Sequence, residues 1–358
     1  MKPPAGTTPS ATPALLAQRL KLVYRWYEGM VNAKTGMFEY LYVPETDAFI
    51  RRKSPIRDLG SVWDAEVLGD FLGRDTLRPL IDKSLRHYAR YLVERDGRAI
   101  LDSHRLEEPS SIAHSAFMIL ALLHDPARRD SERTAALAEG ILRQQRANGS
   151  YKVHFEELPD QGEELYAGEA MLALCECYGR AADVRCLRSV ERAFAFYDAQ
   201  YFGRGRVTDD VLVFFANWQS QACRLLFEQT ANATMKRDVA AYLRRMHDRV
   251  IELGFYTGVG SHPERQASVE VACALEGLND AYAVARAADD EDTVARYRSC
   301  ICVGLVYLLD LQCMQSDRQR EIGGFGMSVG ERTQRIDVTG HAASAFMKTA
   351  ANGIECGQ

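Results

Sequence analysis

Ser61-Val62-Trp63-Asp64, Ser111-Ile112-Ala113-His114, Glu164-Leu165-Tyr166, Ala216-Asn217-Trp218-Gln219, Ala267-Ser268-Val269-Glu270 and Asp337-Val338-Thr339-Gly340-His341 open six apolar helical segments. They recur roughly every fifty residues, a period that marks an array of supersecondary units. Each opening carries polar side chains in its first turns, on helices that are otherwise apolar. The chemistry should therefore gather at one end of six helices.

Working outward from these openings, helical periodicity extends over nearly the whole chain. A first helix is expected over 14–31, followed by an extended excursion over 37–50, where Phe38, Tyr40, Tyr42 and Val43 alternate. Helical hairpins follow: 61–73 with 75–95, 110–124 with 130–147, 163–179 with 182–199, 212–230 with 233–252, and 267–287 with 290–314. The last helix, 337–352, has no successor, and 14–31 has no predecessor. An open solenoid would leave an uncapped apolar face at each end. A ring does not. The expectation is an all-α fold, an (α/α)6 toroid of six helical hairpins whose N-terminal helix closes against the last. It would be one domain over 14–358, preceded by a flexible Pro/Thr/Ala-rich tail over 1–13.

Loop lengths orient the ring. Turns within hairpins are short, as at Gly73-Arg74-Asp75, whereas the connections 96–109, 148–162, 200–211, 253–266 and 315–336 are long. All the long ones enter the N-terminal ends of the inner helices, and long loops on a rigid scaffold concentrate binding groups.

Composition narrows the function. The 358 residues are 47% hydrophobic and 26% charged, enough for a large core, and the net charge of −5 speaks against a nucleic-acid or anionic-membrane binder. No stretch is long enough to span a membrane, and the N-terminus lacks the pattern of a secretory signal. A cytoplasmic protein is expected, with its nine cysteines as small buried hydrophobes in a reducing compartment.

Two motifs carry a resemblance. Gln144-Gln145-Arg146-Ala147-Asn148-Gly149-Ser150-Tyr151 is similar to the Gln-x-x-x-Gly-Ser-Tyr repeats of terpenoid cyclases and prenyltransferase β subunits. So is Gly323-Gly324-Phe325-Gly326, followed by Asp337-x-Thr339. The period and helix order also resemble the six-hairpin glycosidases and their lyase and epimerase relatives. The resemblance implies the α/α toroid over most of the chain, with no single activity attached. The aspartate-rich acid of the cyclases and the cysteine ligand of the prenyltransferases have no counterparts here.

Inner helices of a toroid aim their N-termini at a central cavity, whose mouth gains positive character from the helix dipoles. Glu169 follows Tyr166 by three residues and shares its face. Asp337 opens the sixth inner helix, opposite the third, so the two carboxyl groups suit general acid and base roles; the plainer role for Asp337 is to cap its helix. His341 follows Asp337 by four, and His114 holds a similar place in the second inner helix. His104, His154 and His262 fall in loops on the same face. Catalytic candidates are thus Glu169, Asp337, His341, His114 and Tyr166. Candidates for binding substrate are Trp218, Asn217, Gln221, Tyr151, His154, Arg335, Trp63, Asp64 and Glu270. No motif calls for a cofactor, although the histidines leave room for a divalent metal. Asp289-Asp290-Glu291-Asp292 is read as a solvated turn and helix start rather than a metal-diphosphate site.

The leading expectation is an enzyme acting in the central cavity on a small-molecule or oligosaccharide substrate. The dipoles favour an acidic carbohydrate, and hydrolase, lyase and epimerase chemistry all remain open. Two alternatives stand beside it. An isoprenoid enzyme of the cyclase–prenyltransferase kind would need a largely apolar cavity, and a non-catalytic toroid would bind a peptide or protein partner across the loop-rich face. Oligomeric state is not encoded in any motif.

Overall fold

A computed structural model describes residues 11–50, 52–126, 131–257 and 267–357. The order of elements is α1 (Pro13–Met30), β1 (Leu41–Val43), β2 (Ala48–Ile50), α2 (Pro55–Leu72), α3 (Arg78–Ala89), β3 (Leu92–Arg95), β4 (Arg98–Leu101), α4 (Ser103–Leu106), α5 (Ile112–His124), α6 (Ser131–Arg143), α7 (Glu163–Ala181), α8 (Val184–Phe196), α9 (Leu212–Gln229), α10 (Ala233–Glu252), α11 (Ala267–Ala287), α12 (Glu291–Leu311), β5 (Gly326–Ser328), β6 (Glu331–Arg335) and α13 (Ile336–Ala351).

The inner ring runs α2, α5, α7, α9, α11, α13 and back to α2, each helix packed on the next. The outer helices α3, α6, α8, α10 and α12 return antiparallel behind them, and α1 packs on both α13 and α2. The ring closes as the orphan helices demanded: burying the open faces of α1 and α13 against each other removes apolar surface that neither could otherwise hide. Inner helices are buried nearly all round, as with Ile112–Leu123 of α5, whereas outer helices such as α8 bury one stripe.

Two elements depart from the sequence reading. The helix expected from 61 begins at Pro55, whose ring suits the first turn. The helix expected to reach 95 stops at Ala89, and Leu92–Arg95 instead pairs with Arg98–Leu101 through Asp96 and Gly97, both at positive φ. Asp-Gly is a strong two-residue hairpin signal, and it overrides the helical periodicity there.

The extended excursion after α1 becomes part of a four-stranded sheet ordered β2-β1-β6-β5. Leu41 pairs with Arg335 and Tyr42 with Gln334, so the strand after the first helix holds the strand before the last. Trp26 Nε1 donates to Gln334 Oε1 at 2.6 Å, tying this sheet to α1.

The Gln-x-x-x-Gly-Ser-Tyr stretch proves to be a strut between outer helices. Gln145 donates to the Gly149 and Ser189 carbonyls, and Tyr151 hydrogen-bonds Ser189 Oγ at 2.9 Å. Gln312 does the same for Gly323, donating to its carbonyl at 3.1 Å. Bridges Gln145–Tyr151 and Gln312–Phe325 complete both copies. The motif builds the ring and leaves the cavity free, which explains why it is silent on activity.

Cysteines 175, 177, 186, 223, 273 and 300 are free and buried, as expected of small hydrophobes, but Cys302 and Cys356 form a disulfide. It ties α12 to the segment after α13, where the Cys356 N–H also donates to the Ala11 carbonyl. This bond departs from the expectation that all the cysteines are reduced. No helix among the described residues is long and apolar enough to cross a membrane.

Candidate active site

The N-terminal ends of the inner helices enclose a cavity of about 630 Å³. Nine of the fourteen residues expected there line it: Asp64, His114, His154, Tyr166, Glu169, Trp218, Arg335, Asp337 and His341. Close helix packing sets their positions. A Cβ on Gly168 would lie 2.6 Å from Trp218 Cβ, and one on Gly340 would lie 2.1 Å from Asp64 Oδ2. Only glycine lets α7 approach α9, and α13 approach α2, this closely.

Glu169 is buried, and its Oε2 has no hydrogen-bond partner. Burial pushes its carboxyl up to about 8, against the pull of His341 and Arg57. Asp337 has the opposite fate. Burial works to raise it, but Arg335 and Arg57 outweigh burial and hold it below the usual range. Arg335 Nε reaches Asp337 Oδ1 at 2.5 Å, and Arg57 Nε reaches Oδ2 at 2.8 Å. Asp337 lies one residue inside α13 rather than at its cap, which is Arg335, so the simple capping role does not hold. Arg335, offered by the sequence as a clamp for a substrate anion, is spent on Asp337.

Asp64, half-buried on α2, is pushed up to about 7 by burial; His341 opposes this, while Glu276 and Asp337 add to it. His341 Nδ1 lies 2.8 Å from Glu276 Oε2. Burial disfavours the charged imidazole, but Cys273 and Glu276 beside it hold its pKa well above the ordinary value. Glu276 also accepts from Ser344 Oγ at 2.5 Å and from Asn217 Nδ2 at 2.8 Å, with Lys348 Nζ at 3.5 Å. Burial would raise Glu276, yet Lys348 and these hydrogen bonds carry it down to about 2. Together His341 and Glu276 form a fixed imidazolium–carboxylate pair.

His114 holds a neighbouring carboxylate in place. Its Nδ1 accepts from the Ser111 backbone N–H at 3.2 Å, closing a capping box on α5, so the proton sits on Nε2 and is donated to Glu108 at 2.8 Å. His114 therefore positions Glu108, a cavity-lining carboxylate. Tyr166 is half-buried, its phenol pushed up to about 12 by burial and by Glu169, so it stays protonated at neutral pH. Trp218 packs edge-on between Phe117 at 5.6 Å and His341 at 5.7 Å, which makes one wall of the cavity aromatic.

Five expected residues lie elsewhere. Asn217 is buried behind the wall, donating to Glu276, and Gln221 donates in turn to Asn217 at 3.3 Å. Their amides are consumed in holding the dyad. Tyr151 belongs to the outer strut, Trp63 packs against Phe117 away from the lining, and Glu270 is buried in the first turn of α11. His104 is exposed in α4, and His262 lies outside the described residues. Phe325 packs on Phe346 in the core. Asp290 caps α12 by accepting from the Thr293 N–H, as a turn residue should.

Arg57, Glu108, Phe117, Cys273 and Glu276 line the cavity without having been singled out in the sequence. Arg57 was hidden by the late start given to α2, although Ser54-Pro55 was the available signal. Glu276 sits deep in α11, one turn after Cys273, and a search confined to helix openings passes over it. Among the described residues, no group of three or more His, Cys, Asp or Glu side chains is arranged to hold a metal ion.

No family model and no curated protein matches the sequence. Solved structures do. Cellobiose 2-epimerase from Spirochaeta thermophila DSM 6192 superposes with a TM-score of 0.66 at 12% identity, covering 95% of this chain and 96% of that one. The alpha-1,6-mannanase of Salegentibacter sp. HEL1_6 gives 0.64 at 11% identity, covering 95% and 99%. An unsaturated glucuronyl hydrolase specific for heparin gives 0.62 at 10% identity, covering 95% and 98%. The chain thus shares the (α/α)6 toroid fold of these structures.

Proposed function

We propose that this chain is a carbohydrate-active enzyme that breaks a glycosidic bond in the central cavity. The observation that carries the reading is the split in protonation across one cavity: Glu169 kept protonated by burial, Asp337 kept ionised by two arginines, and Asp64 poised between them. Environments that push carboxyl groups apart in this way mark acid and base assignments. Glu169 would protonate the leaving oxygen as general acid. Asp64, free of the arginine clamp, would receive the proton of the attacking water, and Asp337 with Arg57 and Arg335 would form a rigid polar wall. Trp218 and Phe117 would offer faces for sugar rings. The mannanase and the glucuronyl hydrolase that share the fold support a carbohydrate substrate.

The lining also refines the substrate. Asp64, Glu108, Glu169, Glu276 and Asp337 bring five carboxyl groups, while Arg57 and Arg335 are already engaged with Asp337. A neutral sugar suits this cavity better than an acidic one, and a prenyl chain suits it poorly. A partner-binding toroid has no need of the protonation split.

One observation favours a second reading. The His341 imidazolium, held by Glu276, could return a proton to a sugar carbon from which a cavity carboxylate such as Asp64 has taken one, as an epimerase requires, and an epimerase shares the fold. Incubation with neutral oligosaccharides, with products separated by chromatography, decides between the two. New reducing ends that disappear in Glu169→Gln support hydrolysis. Isomerised sugar without new ends, abolished in His341→Ala, supports epimerisation. Absence of any product across neutral and acidic panels would sink both.

A further inference from the structure

A second cavity, of about 390 Å³, opens on the same face and shares Ser54 with the central one. Its wall is aromatic: His87 lies 4.9 Å from Tyr91 and 5.4 Å from Tyr88, and Phe38 and Tyr40 complete it. The Tyr40 ring links the two spaces, carrying the guanidinium of Arg52 at 5.9 Å and that of Arg57 at 5.8 Å. Arg57 lines the central cavity and Arg52 the second.

The charges around this second cavity are unevenly satisfied. Its buried carboxyl, Asp58, is tied off by the Phe38 N–H and the Tyr88 hydroxyl, each at 2.7 Å. Glu39 accepts from the Asn32 amide at 3.4 Å, and Lys53 is paired with Glu107. Arg52 and Arg105, both exposed at the mouth, are in no ion pair with any described residue; Arg105 only donates to the Arg90 carbonyl. His87 Nδ1 accepts from Arg90 at 2.8 Å, which leaves Nε2–H as a further donor.

We infer that this pocket binds a sugar ring bearing an anionic substituent, with the ring against the tyrosine wall and the anion on Arg52 and Arg105. Two unpaired guanidinium groups suit a carboxylate or a sulfate ester through charge-assisted hydrogen bonds. The choice of a sugar rests on the carbohydrate reading of the central cavity, which the second pocket would extend toward an acidic residue of the same ligand.

The test is isothermal titration calorimetry of the full chain with glucuronate, glucose 6-sulfate and glucose. The anionic sugars should bind more tightly than glucose and lose affinity as salt rises. In the double variant Arg52→Ala/Arg105→Ala that preference should fall by about tenfold or more. Both arginines are exposed, so the melting temperature should stay near that of the parent, which separates lost binding from lost folding. In Glu169→Gln the preference for the anionic sugars over glucose should persist, whatever that substitution does to sugar binding in the central cavity. Equal affinity for glucose and glucuronate, or an unchanged preference in the arginine variant, would overturn the inference. So would loss of anion binding in Glu169→Gln, which would place the anion in the central cavity. Failure of Glu169→Gln to alter turnover would count against the catalytic reading alone, because this binding readout does not pass through catalysis. Preference for the sulfate over glucuronate, or the reverse, would identify the source of the anion.

Discussion

Burial keeps Glu169 protonated, and two guanidinium groups keep Asp337 charged. Only Arg335, two residues before Asp337, distinguishes them in the local sequence. Each lies near a helix opening, and the second guanidinium, Arg57, reaches Asp337 only through the packing of α2 against α13. The proposed proton donor was legible as a residue type, and its protonation was not. Glu169→Gln should lower turnover by about 10²–10⁴-fold while leaving the fold intact, the usual contribution of a positioned general acid. At the same scale, Glu276 sits near 2 when folded, against an ordinary value of 4.5. Because its folded pKa is depressed, its contribution to stability is complete above about 4.5 and is lost as pH falls toward 2. Glu276→Gln should cost about 3–5 kcal/mol at pH 7, the range for breaking a buried ion pair, measurable by urea unfolding. It should also flatten that acid limb; an unchanged stability–pH curve would show that the pair carries no weight.

At the scale of elements, glycines set how close the inner helices come. Gly168→Ala would drive a methyl group into the Trp218 side chain and backbone, so α7 and α9 must part. We expect a loss of stability of about 1–3 kcal/mol, typical of overpacking. Activity should fall with it, because Glu169 and Trp218 ride on the two displaced helices. Retained activity in Gly168→Ala would mean that the cavity tolerates their separation. The helices themselves were readable from periodicity, and the Gln-x-x-x-Gly-Ser-Tyr struts from their repeat. What escaped were elements made by pairing at a distance: the β1–β6 ladder joins residues nearly a chain length apart, and no local pattern reports it. The Asp96-Gly97 hairpin was the exception, since its signal is local and was outweighed only by the helical pattern before it.

For the whole molecule, closure of the ring is what makes a cavity. The closing contacts of α1 with α13 and α2 followed from counting unpaired helices, which is why the fold was legible when much of the site was not. The disulfide reinforces the closure, linking Cys302 on an outer helix to Cys356, 54 residues on. Its reduction removes a loop constraint on the unfolded chain. Cys302→Ser/Cys356→Ser should therefore lower stability by about 2–4 kcal/mol in thermal or urea unfolding, with little change in turnover. No difference between the oxidised parent and the variant would remove the bond from the account of ring stability.

In the proposed chemistry one cavity holds a protonated acid and an ionised base for cleaving a neutral sugar. The pH dependence of kcat/KM on a neutral oligosaccharide, in the parent and in Glu169→Gln, reads out both groups. Activity should fall below about 7, where Asp64 gains a proton, and above about 8, where Glu169 loses one, giving a narrow bell. In Glu169→Gln the residual activity should keep the acid limb and lose the alkaline one. An alkaline limb that survives the substitution would contradict the assignment of Glu169 as the acid, and with it the proposed chemistry.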